Sequence, residues 1–226
     1  MHMNIAIDGP AGAGKSTIAK AVARELGYIY VDTGAMYRAM ALYMIQQNIG
    51  EENWEAQAFT AESADITIRF IDGTQHVILN GQDVSDVIRT SEVSHMASVT
   101  SANPAIREKL VALQQKLAAS ESVVMDGRDI GTVVLPEAQV KIYLTASSAE
   151  RARRRYKEME EKGTLGSETL ASIEEGIIER DYRDSHREHS PLRQAEDAVY
   201  LDSSDLTIEE VIARILSIIS EKGEAL

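Results

Sequence analysis

The residues Asn4-Ile5-Ala6-Ile7-Asp8 form a largely apolar run, and Gly9-Pro10-Ala11-Gly12-Ala13-Gly14-Lys15-Ser16-Thr17 follow directly. The run predicts a short buried strand, and the residues from Lys15 to Leu26 predict a helix. Between them, positions 9–16 match G-x-x-x-x-G-K-[ST] without deviation. Glycines let successive backbone N–H groups curl around an anion at the start of a helix. The stretch therefore predicts a triphosphate site, in which Lys15 reaches the β- and γ-phosphates and Ser16 binds Mg²⁺.

Composition and charge restrict the class of protein. The chain has 226 residues, which predicts one domain over residues 3–222. It has no cysteine and no run of apolar residues long enough to span a bilayer. We therefore expect it in the cytoplasm, away from membranes. A net charge of −13 argues against a nucleic-acid polymer as partner. Nine of the fifteen arginines, however, lie between Arg128 and Arg193. Such a local cluster suits a small phosphorylated ligand.

Strand and helix patterns alternate along most of the chain. This alternation predicts a three-layer α/β/α fold with a parallel central sheet. Residues 66–80 interrupt it with a hairpin pattern around Asp72-Gly73, which predicts an insert over about 62–100. The other segments are predicted as strands at about 28–32, 123–126, 140–144 and 198–202, and as helices at about 34–47, 104–119, 149–162, 168–189 and 208–220.

The phosphate loop alone does not say what kind of protein this is. A GTP-dependent switch needs D-x-x-G and N-K-x-D, and neither pattern occurs. Motor and transport ATPases usually need longer chains and partner domains. A small phosphotransferase remains, which would take residues 9–17 as its ATP site and transfer the γ-phosphoryl group to a second small molecule.

Three further segments carry a resemblance to a known family. They are Asp32-Thr33-Gly34-Ala35-Met36-Tyr37-Arg38, Asp126-Gly127-Arg128-Asp129-Ile130-Gly131-Thr132-Val133-Val134 and Glu179-Arg180-Asp181-Tyr182-Arg183-Asp184. They resemble the bacterial cytidylate kinases, and the similarity extends from the phosphate loop to the last helix. The resemblance implies a P-loop kinase with the insert on its substrate side and a short helical lid at about 151–166. It implies transfer from ATP to CMP and dCMP, with Mg²⁺. Nothing in the sequence demands more than a monomer.

Two of these segments predict part of the acceptor site. Thr33 and Arg38 are candidates for the acceptor phosphate, although Thr33 would serve equally as a helix N-cap and Arg38 as a solvated residue. Asp126 ends an apolar strand, where a carboxylate could hold Mg²⁺ directly or through water. The resemblance implies that Arg128 grips the acceptor phosphate and that Asp129 recognises the base, whereas a plain strand-end turn is the alternative.

The remaining candidates lie on helices. Arg180, Asp184 and Arg187 are spaced i, i+4 and i+7, which predicts one helix face, and such a face is usually just solvated. The resemblance instead implies Arg180 at the transferring phosphates, Asp184 on the ribose hydroxyls and Arg187 near the cytosine. It also assigns Ser98 and Arg107 to the cytosine edge. In the lid, Arg154 is the candidate catalytic cation of a cluster with Arg151 and Arg155. A solvated helix face shared with Glu150 and Glu158 explains any one of these arginines nearly as well.

Two alternative functions stay open at this point. One is a related small kinase that acts on another acceptor, such as UMP or shikimate. The other is a non-catalytic protein that senses ATP and docks a partner. An acceptor panel separates the first from a kinase of CMP, and the Lys15→Met variant separates the second from any enzyme.

Overall fold

The computed structural model describes residues 2–223 and contains two sheets. The strands are β1 Asn4–Asp8, β2 Ile29–Asp32, β3 Ile66–Ile71, β4 Thr74–Leu79, β5 Gln82–Asp83, β6 Val123–Gly127, β7 Val140–Thr145 and β8 Val199–Asp202. The helices are α1 Lys15–Leu26, α2 Thr33–Gln46, α3 Trp54–Ser63, α4 Ser91–Thr100, α5 Pro104–Ser120, α6 Ser148–Glu161, α7 Leu170–His186 and α8 Ile208–Gly223. Two short helical turns cover Val87–Arg89 and Ile130–Val134.

The main sheet is parallel and has the strand order β2-β6-β1-β7-β8. Helices cover both of its faces, which is why its central strands are buried almost throughout. On one face, side chains of α2 and α5 such as Met40 and Leu110 are fully buried, and on the other face Val22 of α1 and Ile215 of α8 are fully buried. The predicted three-layer α/β/α fold is confirmed.

The strand register brings the candidate residues to one edge of the sheet. Asp32 of β2 is aligned with Asp126 of β6, and Asp8 of β1 is aligned with Gly127. Because the strands are parallel, the turns after β1, β2 and β6 all leave the sheet at the same edge. Ligands of open α/β sheets bind at this edge, so the site is to be sought there.

The predicted hairpin forms a separate antiparallel sheet with the order β3-β4-β5. Its turn lies at Asp72-Gly73, and both residues have positive φ angles of 51° and 73°. Two helices beside this sheet were not predicted from the sequence, α3 before it and α4 after it. Helix α7 is shorter than predicted: it ends at His186, and Arg187 has an extended backbone with ψ 143°.

Candidate active site

The phosphate loop has the backbone that the sequence predicts. Gly9, Gly12 and Gly14 have φ angles of 149°, 75° and 84°, which residues with a side chain rarely adopt. At Gly9, a Cβ atom would lie 1.9 Å from the carbonyl oxygen of Leu144 on β7, so only glycine fits. Gly14 is the N-cap of α1 and provides no side-chain cap. The first N–H groups of α1 are therefore free of a capping side chain, as anion binding requires.

Lys15 is buried beside this loop, and its Nζ donates a hydrogen bond of 2.7 Å to the carbonyl of Pro10. Burial lowers the pKa of Lys15, and the nearby charges of Arg128 and Arg180 lower it further. Part of this effect is opposed by Asp126 and Asp8. The three cations therefore lie close enough to repel one another, and a bound anion would relieve this repulsion.

Ser16 and Asp126 lie together next to the loop. The Ser16 hydroxyl donates to the Asp126 carboxylate over 3.0 Å, and the Tyr30 hydroxyl donates to its other oxygen over 2.9 Å. Burial raises the pKa of Asp126, and the charge of Asp32 raises it further.

This pair of side chains fits the Mg²⁺ that the sequence analysis predicted. Within residues 2–223 no group of three acidic, histidine or cysteine side chains could hold a metal by itself. Mg²⁺ is commonly held by one or two carboxylates together with substrate phosphates and water. The Ser16 hydroxyl and the Asp126 carboxylate would provide the protein's share of such a site.

In the second candidate segment, the helix cap is Asp32 and not Thr33, the alternative that the sequence left open. Asp32 is the N-cap of α2 and accepts the N–H of Ala35 over 2.8 Å. Thr33 is therefore not the N-cap, and its hydroxyl instead donates to the Asp126 carbonyl over 2.7 Å. Arg38 is not a solvated residue either, because its side chain is 19% exposed and lies 3.1 Å from the Asp32 carboxylate.

Arg128 and Asp184 connect the turn after β6 with α7. The Arg128 Nε donates to Asp184 over 2.9 Å, and both side chains are largely buried. Burial would raise the pKa of Asp184, but the charges of Arg128 and Arg180 outweigh it and lower the pKa. Burial, followed by the charge of Arg128, lowers the pKa of Arg180 to about 10. Arg180 therefore lies in the same cation cluster.

Arg107, Asp129 and Arg187 meet although they come from three segments. Arg107 forms a buried ion pair with Asp129, and its guanidinium lies 5.6 Å from the centre of the Tyr37 ring. Arg187 approaches the other Asp129 oxygen at 4.0 Å, and its Nε donates to the Ser190 carbonyl over 2.7 Å. The helix face predicted for Arg187 is wrong, because α7 ends before it, but the side chain still lies beside Asp129.

Buried polar atoms without a partner are concentrated among these residues. In the described part of the chain ten buried side-chain atoms lack a hydrogen-bond partner. Six of them belong to the acceptor candidates or to Tyr37, namely Tyr37 Oη, Arg38 Nε, Ser98 Oγ, Arg107 Nε, Arg180 Nε and Arg187 Nη2. An unpaired buried polar atom is costly, so such a cluster marks a place where a polar ligand can supply the missing partners.

The three lid arginines do not form one cluster. Arg151 is buried and binds the Ala11 carbonyl of the phosphate loop over 2.9 Å and Asp181 of α7 over 2.6 Å. Arg154 pairs with Glu150 and donates to the Ser203 carbonyl over 2.7 Å. Its guanidinium also lies 4.0 Å from where a Cβ of Gly14 would be, which keeps Arg154 beside the loop. Arg155 is half-exposed and pairs with Glu158, so it does not join the other two.

Asp8 is a site residue that the sequence analysis missed. Its two carboxylate oxygens accept the N–H groups of Ile130 and Gly131 over 2.8 and 2.7 Å. Asp8 thus joins the strand before the phosphate loop to the turn that carries Arg128 and Asp129. Burial raises the pKa of Asp8 to about 7. A carboxylate at the end of an apolar strand was the available signal.

Residues 5–221 match the family model described as Cytidylate kinase. The chain belongs to the cytidylate kinase family. It is 51% identical over 220 residues to a cytidylate kinase of Lactobacillus johnsonii, an alignment that covers 97% of this chain and 95% of that one. It is also 51% identical over 220 residues to a cytidylate kinase of Bacillus cytotoxicus, with 97% of each chain covered. As a member of this family, the chain is a P-loop kinase, as the resemblance implied.

Solved structures support the fold independently of these relatives. The shikimate kinase of Bacteroides thetaiotaomicron is 14% identical to this cytidylate kinase family member and superposes with a TM-score of 0.51. The match covers 96% of this chain and 98% of that one. Among the helices of residues 2–223, none is both long and apolar enough to cross a membrane.

Proposed function

We propose that the protein transfers the γ-phosphoryl group of ATP to CMP, and also to dCMP. One observation carries the proposal: Asp126 accepts the Ser16 hydroxyl of the phosphate loop over 3.0 Å with its carboxylate, and the Thr33 hydroxyl of the acceptor segment over 2.7 Å with its carbonyl. The two candidate sites therefore adjoin at Asp126. Transfer of a phosphoryl group between two nucleotides needs this arrangement, because donor and acceptor phosphates must meet in line.

In this proposal residues 9–17 bind the phosphates of ATP. The N–H groups at the start of α1 and the Lys15 ammonium take the β- and γ-phosphates. When bound, Mg²⁺ would spread the negative charge of these phosphates, with Ser16 and Asp126 as its protein ligands. Arg154, whose guanidinium lies 4.0 Å from where a Cβ of Gly14 would be, is the proposed lid cation for the donor phosphates.

The acceptor CMP would be held by two groups of side chains. Arg38, Arg128 and Arg180 bind its phosphate. For the cytosine, Ser98, Arg107, Asp129 and Arg187 supply donors and acceptors that match an amine beside a ring nitrogen and a carbonyl. Asp184 accepts from the ribose hydroxyls, and Thr33 lies beside this site at the start of α2, where its hydroxyl donates to the Asp126 carbonyl.

The chemistry needs no general base. The attacking atom is a phosphate oxygen that is already ionised at neutral pH, so the protein has to position the two nucleotides and stabilise the charge of the transition state. The arginines that pair with Asp32 and Asp184 are held in fixed geometry for this task. We further propose that the insert at 62–100 and the lid at 151–166 close over both nucleotides and exclude water, within a single domain of residues 3–222.

A coupled assay with ATP and a panel of CMP, dCMP, UMP, AMP and shikimate tests the proposal. CMP should be the preferred acceptor. The variant Arg187→Ala should raise the KM for CMP at least about tenfold, as expected for the loss of a charged hydrogen bond. Arg193→Ala is the matched control, because Arg193 is an exposed arginine six residues away, and it should leave the KM for CMP unchanged.

Two results would contradict the proposal. Equal rates with UMP and CMP would refute the selectivity for cytosine. Absence of turnover with every acceptor in the folded wild-type protein would favour the nucleotide sensor instead, whereas loss of turnover only in Lys15→Met supports the enzyme.

A further inference from the structure

Gln75, which no motif singles out, ties the hairpin to the acceptor site. It is the second residue of β4, next to the hairpin turn. Its carboxamide oxygen accepts the N–H of Asp32 over 2.8 Å, and its amide nitrogen donates to the Asp32 carbonyl over 3.1 Å. One side chain thus satisfies both backbone groups of one residue, as a neighbouring strand would.

The location of this contact matters because β2 is an edge strand of the parallel sheet. Within the described residues, no ladder of backbone hydrogen bonds joins the parallel sheet to the antiparallel one. Gln75 provides the two hydrogen bonds that connect them at the carboxyl end of β2, where the candidate site begins. Glutamine suits the task because its amide carries a donor and an acceptor side by side.

Asp32 transmits this contact to the acceptor site. Its carboxylate caps α2 and lies 3.1 Å from Arg38. The same carboxylate lies 3.4 Å from Arg89, which follows β5 in the short turn at the other end of the hairpin sheet. The hairpin therefore reaches Asp32 twice, at its backbone through Gln75 and at its carboxylate through Arg89.

We propose that Gln75 is a positioning residue for the acceptor: its bonds to Asp32 hold the hairpin and Arg38 in the arrangement that binds the acceptor phosphate. The inference rests on the proposed function, since it names how that acceptor site is assembled. Without the bonds the insert samples other positions, and only a fraction of molecules is competent to bind. The apparent affinity for the acceptor falls by that fraction, while the step after binding is unchanged.

The variant Gln75→Met keeps the volume and removes both hydrogen bonds. It should raise the KM for CMP about three- to tenfold and leave the KM for ATP and kcat close to the wild-type values. Gln82→Met is the matched control, because Gln82 is an exposed glutamine of the same small sheet. It should change none of these constants.

Amide hydrogen exchange gives a second readout that does not depend on activity. The Asp32 N–H should be protected in the wild type and should exchange about two- to tenfold faster in Gln75→Met, and saturating CMP should restore much of the protection. The same KM for CMP in Gln75→Met and Gln82→Met would overturn the proposal. An equal rise of the KM for ATP and the KM for CMP in Gln75→Met would overturn it too, as would unchanged hydrogen exchange at Asp32. If the wild type fails to phosphorylate CMP, the proposed function fails, and the exchange of Asp32 still decides whether Gln75 holds it.

Discussion

Replacing Ser98 by alanine should make the unliganded protein more stable and its binding of CMP weaker. The Ser98 hydroxyl is buried on α4 and has no hydrogen-bond partner among the described residues. A buried polar group without a partner costs about 1–3 kcal/mol, and alanine removes that cost. In the complex with CMP, by contrast, the same hydroxyl is proposed to form a hydrogen bond with the cytosine. Its loss there leaves a polar group of the base without a hydrogen-bond partner.

The stabilisation expected from removing the buried hydroxyl can be separated from a general gain in helix stability. Alanine is a better helix former than serine by about 0.5 kcal/mol, so any Ser→Ala change in α4 gains that much. Ser94→Ala, one turn earlier on the same helix, reports this gain alone. Ser98→Ala should exceed it by about 1–3 kcal/mol, and each kcal/mol corresponds to about 2–4 °C in Tm for a chain of this length.

Thermal unfolding without ligand and steady-state kinetics with ATP and CMP check both halves of this prediction. The KM for CMP should rise about five- to thirtyfold in Ser98→Ala, which corresponds to about 1–2 kcal/mol, and the KM for ATP should not change. A Tm no higher than that of Ser94→Ala would refute the reasoning about the buried hydroxyl. An unchanged KM for CMP would refute its role at the base.

Three other variants test the charges and the loop. Lys15→Met should abolish turnover yet stabilise the unliganded protein. Because burial and the charge of Arg128 lower the pKa of Lys15, the free energy of unfolding of the wild type should rise with pH up to the ordinary lysine pKa of about 10.4. Urea titrations should show that this rise is missing in the variant. Asp184→Asn should lower the free energy of unfolding by about 3–5 kcal/mol at pH 7, because it leaves the charge of Arg128 without its carboxylate partner. Since the pKa of Asp184 is lowered, the difference in Tm between the variant and the wild type should shrink as the pH falls below about 4. Gly9→Ala should abolish ATP binding in a direct titration, because its Cβ would lie 1.9 Å from a carbonyl oxygen of β7. Gly27→Ala, at a position with a positive φ but open space, should lower the free energy of unfolding by only about 1–2 kcal/mol.

The parallel sheet and the phosphate loop could be predicted because their signals are local. Helix α1 begins and ends at the predicted residues, since a glycine turn precedes it and Gly27 adopts the left-handed backbone of a C-cap. Helix α3 was missed for a physical reason. Its Phe59 side chain is 78% exposed, so its apolar residues do not form the one-sided stripe on which such predictions depend.

The composition of the candidate site could be predicted, but its pairings could not. The sequence indicated Arg107 and Asp129 separately, and only the packing of α5 against the turn after β6 brings them together. Likewise, Arg187 was assigned to a helix that ends one residue earlier. Asp8 and Gln75 act through hydrogen bonds to distant backbone groups. The position of Asp8 at a strand end could mark it as a site residue, but the sequence position of neither residue identifies its distant partner.

In the proposed function, the pairing of the site's arginines lets an acidic chain bind two anions. Asp32, Asp129 and Asp184 each hold an arginine of the acceptor site. These carboxylates offset part of the repulsion between neighbouring cations before a ligand binds, and they cancel much of the field outside the pocket. Small nucleotides can still reach the guanidinium groups, because each has further N–H donors. The proposed selectivity for a small phosphorylated acceptor would thus follow from arginines that are already paired.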